Sequence, residues 1–482
     1  MKLFLLTFLG SINFLLLGQK GTIKSASISD KNINYLKLMD NPEYNNFFVL
    51  MDSKVGVMDY NFNLKYTDNA KLTGNTFKVV YQDKLLFFKY KYDGDKRLFG
   101  YYITKIATQD EVLDTLVPFI ETRVKDEKKY MDKKTQQIVM RVLPSPKRDK
   151  VAVIHENNYK EGVKEGFKYQ LLNENGDISE VKQISFPFED ITSEISSYNF
   201  DGENIYCLVH HYQERHTKKN NPTSYSIIKH NIISNEITMG KKINIGSNTR
   251  ISHLDFYYYK GKIFLFNAFF TSSDNLYSIQ KLKLIRINEK LAIEDSLIVS
   301  KSELDKLSIQ NALTKDNYSG FRVAQRINPS TLNDFPDYLL NYQYWYLKAD
   351  WKTYSHLLLT GIGGIPMFGS KKRFDCTTSN LLIYDNGKNT KTFNDTITGV
   401  KTDIVNYLMT KKDDEIELLH NSFTKGRKNS IVEKITFENN ILHRTVIDAP
   451  IIRAIRKINL ENGNCIYPII DEKNNYLIKS KQ

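Results

Sequence analysis

The sequence predicts an all-β fold assembled from one repeated unit of four antiparallel strands, and three observations carry that prediction. Residues 251–300 divide at turn signals into four runs rich in β-branched and aromatic residues: ISHLDFYYY, KIFLFNAFF, LYSIQKLKLIRIN and LAIEDSLIVS. The separators are KG, TSSDN and EK, and runs of this kind between turn residues read as a meander of strands. Similar groups of four recur along the chain. Aromatic residues, with 30 Tyr and 27 Phe, make up 12% of it, which favours strands over helices.

The first unit, from Ile33 to Asn69, contains INYLKLMD, NFFVLMDS, KVGVMDYN and LKYTDN. The second begins at Phe77 with FKVVYQ, LLFFKYKY, FGYYITKIAT and EVLDTLVPFIET. The third begins at Met140 with MRVLPSP, VAVIHEN, FKYQLLNEN and VKQISFPF, and the fourth at Ser196 with SSYNF, NIYCLVHHYQ, SYSIIKHNI and EITMGKKINI. The unit from Ile251 follows. Ser302, with Asp305 three residues on and then Leu307 and Leu313, predicts a short capped helix over 302–314, an insertion followed by irregular chain to Leu340. Strand rhythm resumes at Asn341 with NYQYWYLKAD, SHLLLTG, SNLLIYDN and KTFNDTITG. A further unit starts at Val405, and the last, from Ile452, shows only IRAIRKINL, CIYPIID and NYLIKS.

This pattern resembles a secreted bacterial β-propeller at the level of architecture, with four-stranded blades around a central axis. The resemblance implies one body over residues 33–482 with about seven blades, six or eight being allowed. Strands from the two chain ends would share a blade, leaving no open edge. No Trp-Asp repeat, calcium-binding nonapeptide or Ser-x-Asp-x-Gly-x-x-Trp box ties the chain to a particular family. A pair of β-sandwich domains is the rival, and it does not explain the grouping by four.

Lys2 followed by a mainly apolar run from Leu3 to Leu17 predicts a secretory signal peptide over residues 1–19, cleaved near Gly18 or Gln19, with a polar linker over 20–32. The run is short for the roughly 20 residues that a bilayer requires, so no transmembrane span is expected after cleavage. The expected location is exported: periplasmic, outer-membrane-associated or extracellular. Cys207, Cys376 and Cys465 are too few for a disulfide framework and read as buried thiols.

No motif specifies a reaction or a cofactor. Residues 364–371, GIPMFGSK, have the Gly-x4-Gly of a phosphate loop, but Ser370 precedes Lys371 where the lysine should come first. HHYQERH, with His210, His211, Glu214 and His216, has no zinc spacing, and adjacent histidines on a strand point to opposite faces. DYNFNL at Asp59 starts like a calcium loop but has Leu64 where glycine is required. No metal or cofactor is expected.

The formal net charge is +13, and its placement matters more than its size. In a propeller the connections after second and fourth strands share one face. Here they are the long ones and several are basic, contributing Lys96 and Arg97, Lys218 and Lys219, Lys371, Lys372 and Arg373, and Lys425, Arg427 and Lys428. Second strands also end near polar residues, Lys89, His155, His210, Asn267, Thr360 and His420, which would form a ring at the central mouth. Long loops on a rigid scaffold carry binding residues. The expectation is a non-catalytic binding or scaffold protein for an acidic partner: a glycan, a lipid headgroup or a protein, with no nucleic acid expected. The alternative is a glycan-active or peptide-active enzyme using carboxylates near the mouth, with Glu156, Glu214, Asp274 and Asp375 as candidates.

Overall fold

The computed structural model describes residues 24–28, 36–51, 54–61, 63–69, 77–93, 95–96, 98–108, 110–123, 140–156, 162–214, 221–245, 249–259, 261–271, 281–300 and 302, together with the strands named below from residue 321 onward. The described strands form eight antiparallel sheets. The first holds Leu36–Asn41, Asn46–Met51, Lys54–Asp59 and Leu64–Asn69, and the second Phe77–Tyr81, Lys84–Asp93, Leu98–Ala107 and Val112–Arg123. The third holds Met140–Pro144, Val151–Glu156, Lys164–Leu172 and Lys182–Glu189. The fourth holds Ser193–Phe200, Asn204–His211, Ser224–Asn231 and Ile237–Met239, with Ile243–Asn244 also on its third strand. The fifth holds Thr249–Tyr259, Lys262–Thr271, Lys281–Ile287 and Ile293–Ser300.

The sixth sheet holds Phe321–Gln325, Tyr338–Tyr346, Phe374–Tyr384 and Asn389–Val400, and the seventh Tyr407–Lys412, Glu415–Ser422, Ile431–Glu438 and Ile441–Ile447. The eighth is made from both ends of the chain. Ile451–Ile452 and Ile458–Asn459 pair with Cys465–Ile470, which pairs with Asn475–Ser480, and Lys24–Ile28 completes the sheet. In that last pairing Lys24 lies opposite Lys479 and Ile28 opposite Asn475.

First strands of consecutive sheets lie side by side from the first sheet to the fifth, and Leu36–Asn41 also adjoins the eighth sheet. The first strands therefore surround a common axis, and the chain is a β-propeller.

The packing explains why so many strands are apolar on both faces. Successive side chains of a strand point to opposite faces, and each sheet has a neighbour on each side. Leu85 and Phe87 join a core with Phe48, Leu50, Val55 and Val57 of the first sheet. Leu86 and Phe88, between and after them in sequence, join a core with Met140, Val151 and Val153 of the third. The third sheet repeats the device: Ala152 and Ile154 face Ile205, Cys207 and Val209 of the fourth sheet, whose Tyr206 and Leu208 face Ile263 and Leu265 of the fifth. Each fully buried large apolar side chain contributes roughly 1.5–3 kcal/mol, so stability is spread along the seams between sheets.

Two expectations are corrected here. The described strands form eight sheets, within the range of six to eight that was allowed, and Lys24–Ile28 supplies the strand missing from the C-terminal unit. That strand lies inside the stretch read as a linker; its sequence KSASI lacks the aromatic and β-branched alternation that marked the others. In the sixth sheet NYQYWY belongs to the second strand rather than the first, and the first is Phe321–Gln325, within the segment read as irregular. The strand expected at SHLLLTG, the signal peptide over 1–19 and the GIPMFGSK loop lie outside the described residues, as does the helix expected over 302–314 apart from Ser302.

Candidate functional site

Because the sheets are meanders, first-to-second and third-to-fourth hairpins emerge on one face of the propeller and all other connections on the opposite face. The hairpin face is closed by self-capped turns. At or just past the ends of third strands, Asp59, Asn173, Asn231 and Asn288 each accept two backbone N–H bonds of their own turn, as Asn173 Oδ1 does from Asn175 at 3.0 Å and Asp177 at 2.9 Å. Asx side chains are suited to this because a short carboxyl or amide oxygen reaches the backbone two residues on. Neighbouring hairpins are also tied together: Asn41 Nδ2 donates to the Gln82 carbonyl at 2.9 Å, and Gln82 N donates to the Arg148 carbonyl at 2.8 Å. Near them Asp40 accepts a bond from the Tyr60 hydroxyl at 2.6 Å.

The opposite face carries the connections of variable length. Among the described sheets, residues 94–97, 157–163, 212–223 and 272–280 link second to third strands, and 124–139 link the second sheet to the third. It is the side on which binding residues were sought.

The expected second-strand residues Lys89, His155, His210, Asn267 and His420 lie four or five residues past Lys84, Val151, Ile205, Lys262 and Glu415, the hairpin pairs that open their strands. The second strand does not itself line the axis, since the first strand lies inside it. His155 is 6% exposed and packs edge to face on Tyr101 of the second sheet, with ring centroids 5.5 Å apart. Burial, with a smaller push from Lys168, lowers its pKa to about 4, so it carries no charge at pH 6.5. His210 shares its strand face with Tyr206 and Leu208, which pack toward the fifth sheet. Lys89 is exposed, and His420 lies opposite Tyr407 in the seventh sheet. Thr360, Lys371, Lys372, Arg373, Lys425, Arg427 and Lys428 lie outside the described residues, as do Arg97, Lys218, Lys219, His216 and Asp274. Lys96 pairs with Asp93 at 4.0 Å and is exposed.

What the structure does bring together is a set of acids at the loop-rich ends of the third and fourth sheets. Glu156 ends a second strand, Glu165 is second in the following strand, and Asp190 follows the fourth. Glu156 Oε1 lies 3.7 Å from Arg141 Nε. Glu165 Oε1 accepts the Gly166 N–H at 2.7 Å, and the Glu165 and Asp190 carboxyls are hydrogen-bonded to one another. Both are buried, at 6% and 5% exposure. Burial first, then the charges of Asp190 and Glu156, hold the Glu165 carboxyl far above the ordinary carboxylate range. The pair therefore holds a proton at neutral pH.

The local backbone makes room for this pair. The register of third and fourth strands jumps from Lys164 opposite Glu189 to Gly166 opposite Ser185, which leaves Glu165 facing a bulged run. A Cβ on Gly166 would collide with the Ile184 carbonyl oxygen, so only glycine permits the approach. Next to the bulge, Tyr212 donates to Glu194 Oε2 at 2.8 Å. His211 lies between Ser193 Oγ at 3.4 Å and Ser226 Oγ at 2.8 Å. Of the carboxylates considered for an enzyme, Glu214 is exposed and Asp375 lies opposite Tyr346. No three His, Cys, Asp or Glu among the described residues are grouped to hold a metal ion. Sequence reading missed Glu165 and Asp190, because it began the third strand at Phe167 and so left Glu165 and Gly166 in the connection before it.

No family model and no curated protein matches the chain. Among solved structures it is similar to the WD40 domain of SCAP from fission yeast, with a TM-score of 0.38, 9% identity, and coverage of 95% of this chain and 94% of that one. It is also similar to the β-propeller domain of the Trilobed protease from Pyrococcus furiosus, with a TM-score of 0.31, 10% identity, and coverage of 86% and 96%. Likenesses of this size bear on neither activity nor partners.

Proposed function

We propose that this chain is an exported, non-catalytic binding or scaffold protein that recognises an acidic partner through the loop-rich face of the propeller. The reading rests on one observation, the asymmetry between the two faces. One consists of short turns closed by their own hydrogen bonds, with little backbone free to adapt. The other carries the longer connections, and these are rich in cations: residues 124–139 contain Lys125, Lys128, Lys129, Lys133 and Lys134. Lys371, Lys372 and Arg373 stand between the second and third strands of the sixth sheet, and Lys425, Arg427 and Lys428 between those of the seventh. A rim of this kind attracts anions at long range, and its pull weakens as salt screens it.

A binding screen tests the reading, with an immobilised acidic polysaccharide, anionic lipid vesicles and an acidic protein as three separate arms. Binding to one arm that weakens steeply with added salt is the expected result. Retention that is indifferent to salt, or none in any arm, would overturn it.

A further inference from the structure

The outermost strand of each sheet leaves one edge of backbone open, and proteins guard such edges with charged residues, prolines or bulges. The other outer strands described all carry a charged residue, and that of the third sheet has Pro187 as well. Ile237–Met239, the outer strand of the fourth sheet, has neither. Ile237 and Met239 are 37% and 54% exposed, and Ile233 in the turn before them is exposed too. The hydrogen bonds show which backbone groups face outward. The Glu236 carbonyl accepts the Asn231 N–H at 2.9 Å, and Gly240 N donates to the Ile227 carbonyl at 2.8 Å. Residues 236, 238 and 240 therefore bond inward, and Ile237 and Met239 turn their N–H and C=O groups to the open edge. We propose that this edge pairs with the same edge of a second copy of the chain, antiparallel about Thr238, to form a dimer.

The edge is complementary to itself. Pairing about Thr238 sets Ile237 of each copy opposite Met239 of the other, and both are residues whose backbone faces outward, so the two strands exchange their N–H···O bonds in full. Ile237 and Met239 share one face of their strand, the face of His230 and Ile228 opposite them. Each Ile–Met meeting is thus an apolar cross-strand pair that covers side chains now exposed to water. The same register sets Glu236 of each copy diagonal to Lys242 of the other, both exposed, at a spacing that long side chains can bridge. Any extended segment could satisfy the backbone; the reciprocal Ile–Met and Glu–Lys matches select a second copy, and they occur twice because the contact is two-fold. The third strand beneath, Ser224–Asn231, is held on its other side by Asn204–His211, so the edge is presented on a fixed support. Antiparallel pairing turns one propeller over relative to the other, and the two loop-rich faces look in opposite directions. The dimer does not depend on what those faces bind.

Sedimentation equilibrium of the full chain tests the pairing. A short edge contact belongs to the small class of interfaces, so the mass should rise from one chain toward two with a dissociation constant on the order of 10 µM. Met239→Lys places a charge in the edge and should raise that constant at least about tenfold. Ile293→Lys, at a comparably exposed site on the outer strand of the fifth sheet, should leave it unchanged. A second measurement reads the register. With Cys207, Cys376 and Cys465 replaced by Ala, Thr238→Cys should cross-link to a dimer under oxidation, because residues facing each other at a non-hydrogen-bonded site lie about 4.5 Å apart at Cα, within disulfide reach. A parent that stays monomeric would overturn the proposal and leave the edge to an extended segment of another protein. A dimer that survives Met239→Lys, or a folded Thr238→Cys variant that does not cross-link, would overturn it as well. Should the cysteine variant fail to fold, the sedimentation of the parent and the two lysine variants decides.

Discussion

Tyr101 of the second sheet and His155 of the third meet edge to face, with ring centroids 5.5 Å apart and planes at 78°. The contact places a polar residue from the expected mouth inside a seam between sheets, and it gives the propeller a dependence on acid. His155, His211 and His230 are all buried and all held near pKa 4, burial being the largest cause in each case. A histidine whose folded pKa lies below its unfolded value of 6.5 stabilises the fold fully above 6.5, and that share is lost as pH falls toward 4. Asp40 acts in the opposite sense: burial raises its carboxyl to about 6, so its share is full below 3.8 and is lost as pH rises through 6. For His155 the loss approaches about 3 kcal/mol by pH 4. Denaturant unfolding at neutral and acid pH should therefore show a smaller acid loss in His155→Phe than in the parent; equal losses would remove His155 from the account.

Phe167 is fully buried and touches Tyr169, Phe186 and Tyr198 at ring-centroid distances of 6.0, 6.0 and 5.5 Å. Phe167→Ala should lower the unfolding free energy by about 3–5 kcal/mol, the range for emptying an aromatic site in a core. Ile233→Ala, at a site 72% exposed, should stay within about 0.5 kcal/mol. Chemical denaturation of the two variants side by side checks both figures.

Gly166 and Gly162 flank the carboxyl pair but for different reasons. An alanine at Gly166 would collide with the backbone oxygen of Ile184, and at Gly162, where φ is +74°, it would meet nothing within 4 Å. Gly162→Ala should cost about 1–2 kcal/mol, from the left-handed backbone alone. Gly166→Ala should cost clearly more, since strand pairing itself must shift. Thermal melting of the two variants gives the order, and a Gly162→Ala variant that melts lower than Gly166→Ala would contradict the bulge.

Ala26 and Leu477 are opposite one another in the sheet that closes the ring. Cysteines at both positions, with Cys207, Cys376 and Cys465 replaced by Ala in variant and reference alike, should form a disulfide across nearly the whole chain. Constraining so long a loop in the unfolded state should add about 2–4 kcal/mol. Failure to cross-link under oxidation would count against the pairing of the two ends.

The strands were legible because second strands are sandwiched between neighbouring sheets. Runs such as Leu85, Leu86, Phe87 and Phe88 are apolar without alternation for that reason, and they announce themselves. Lys24–Ile28 and Phe321–Gln325 were missed: the first is small and polar, and the second follows a stretch without strand rhythm. Asp59 was weighed against calcium loops, yet it belongs to a series with Asn173, Asn231 and Asn288, one at the same turn in each of four sheets. The acid pair was beyond reach because Glu165 and Asp190 meet only through strand register, and the second-strand residues, though level with one another, stand outside the first strands that lie next to the axis.

The most direct test of the basic loop-rich face compares two variants with the parent against whichever anionic probe the binding screen identifies. One variant replaces Lys371, Lys372, Arg373, Lys425, Arg427 and Lys428 by neutral residues; the other neutralises Lys147 and Lys290, exposed in turns of the hairpin face. At low salt the first should bind at least about tenfold more weakly, with a shallower dependence on salt, and the second should bind as the parent does. Parent-like affinity in the first variant would contradict the account.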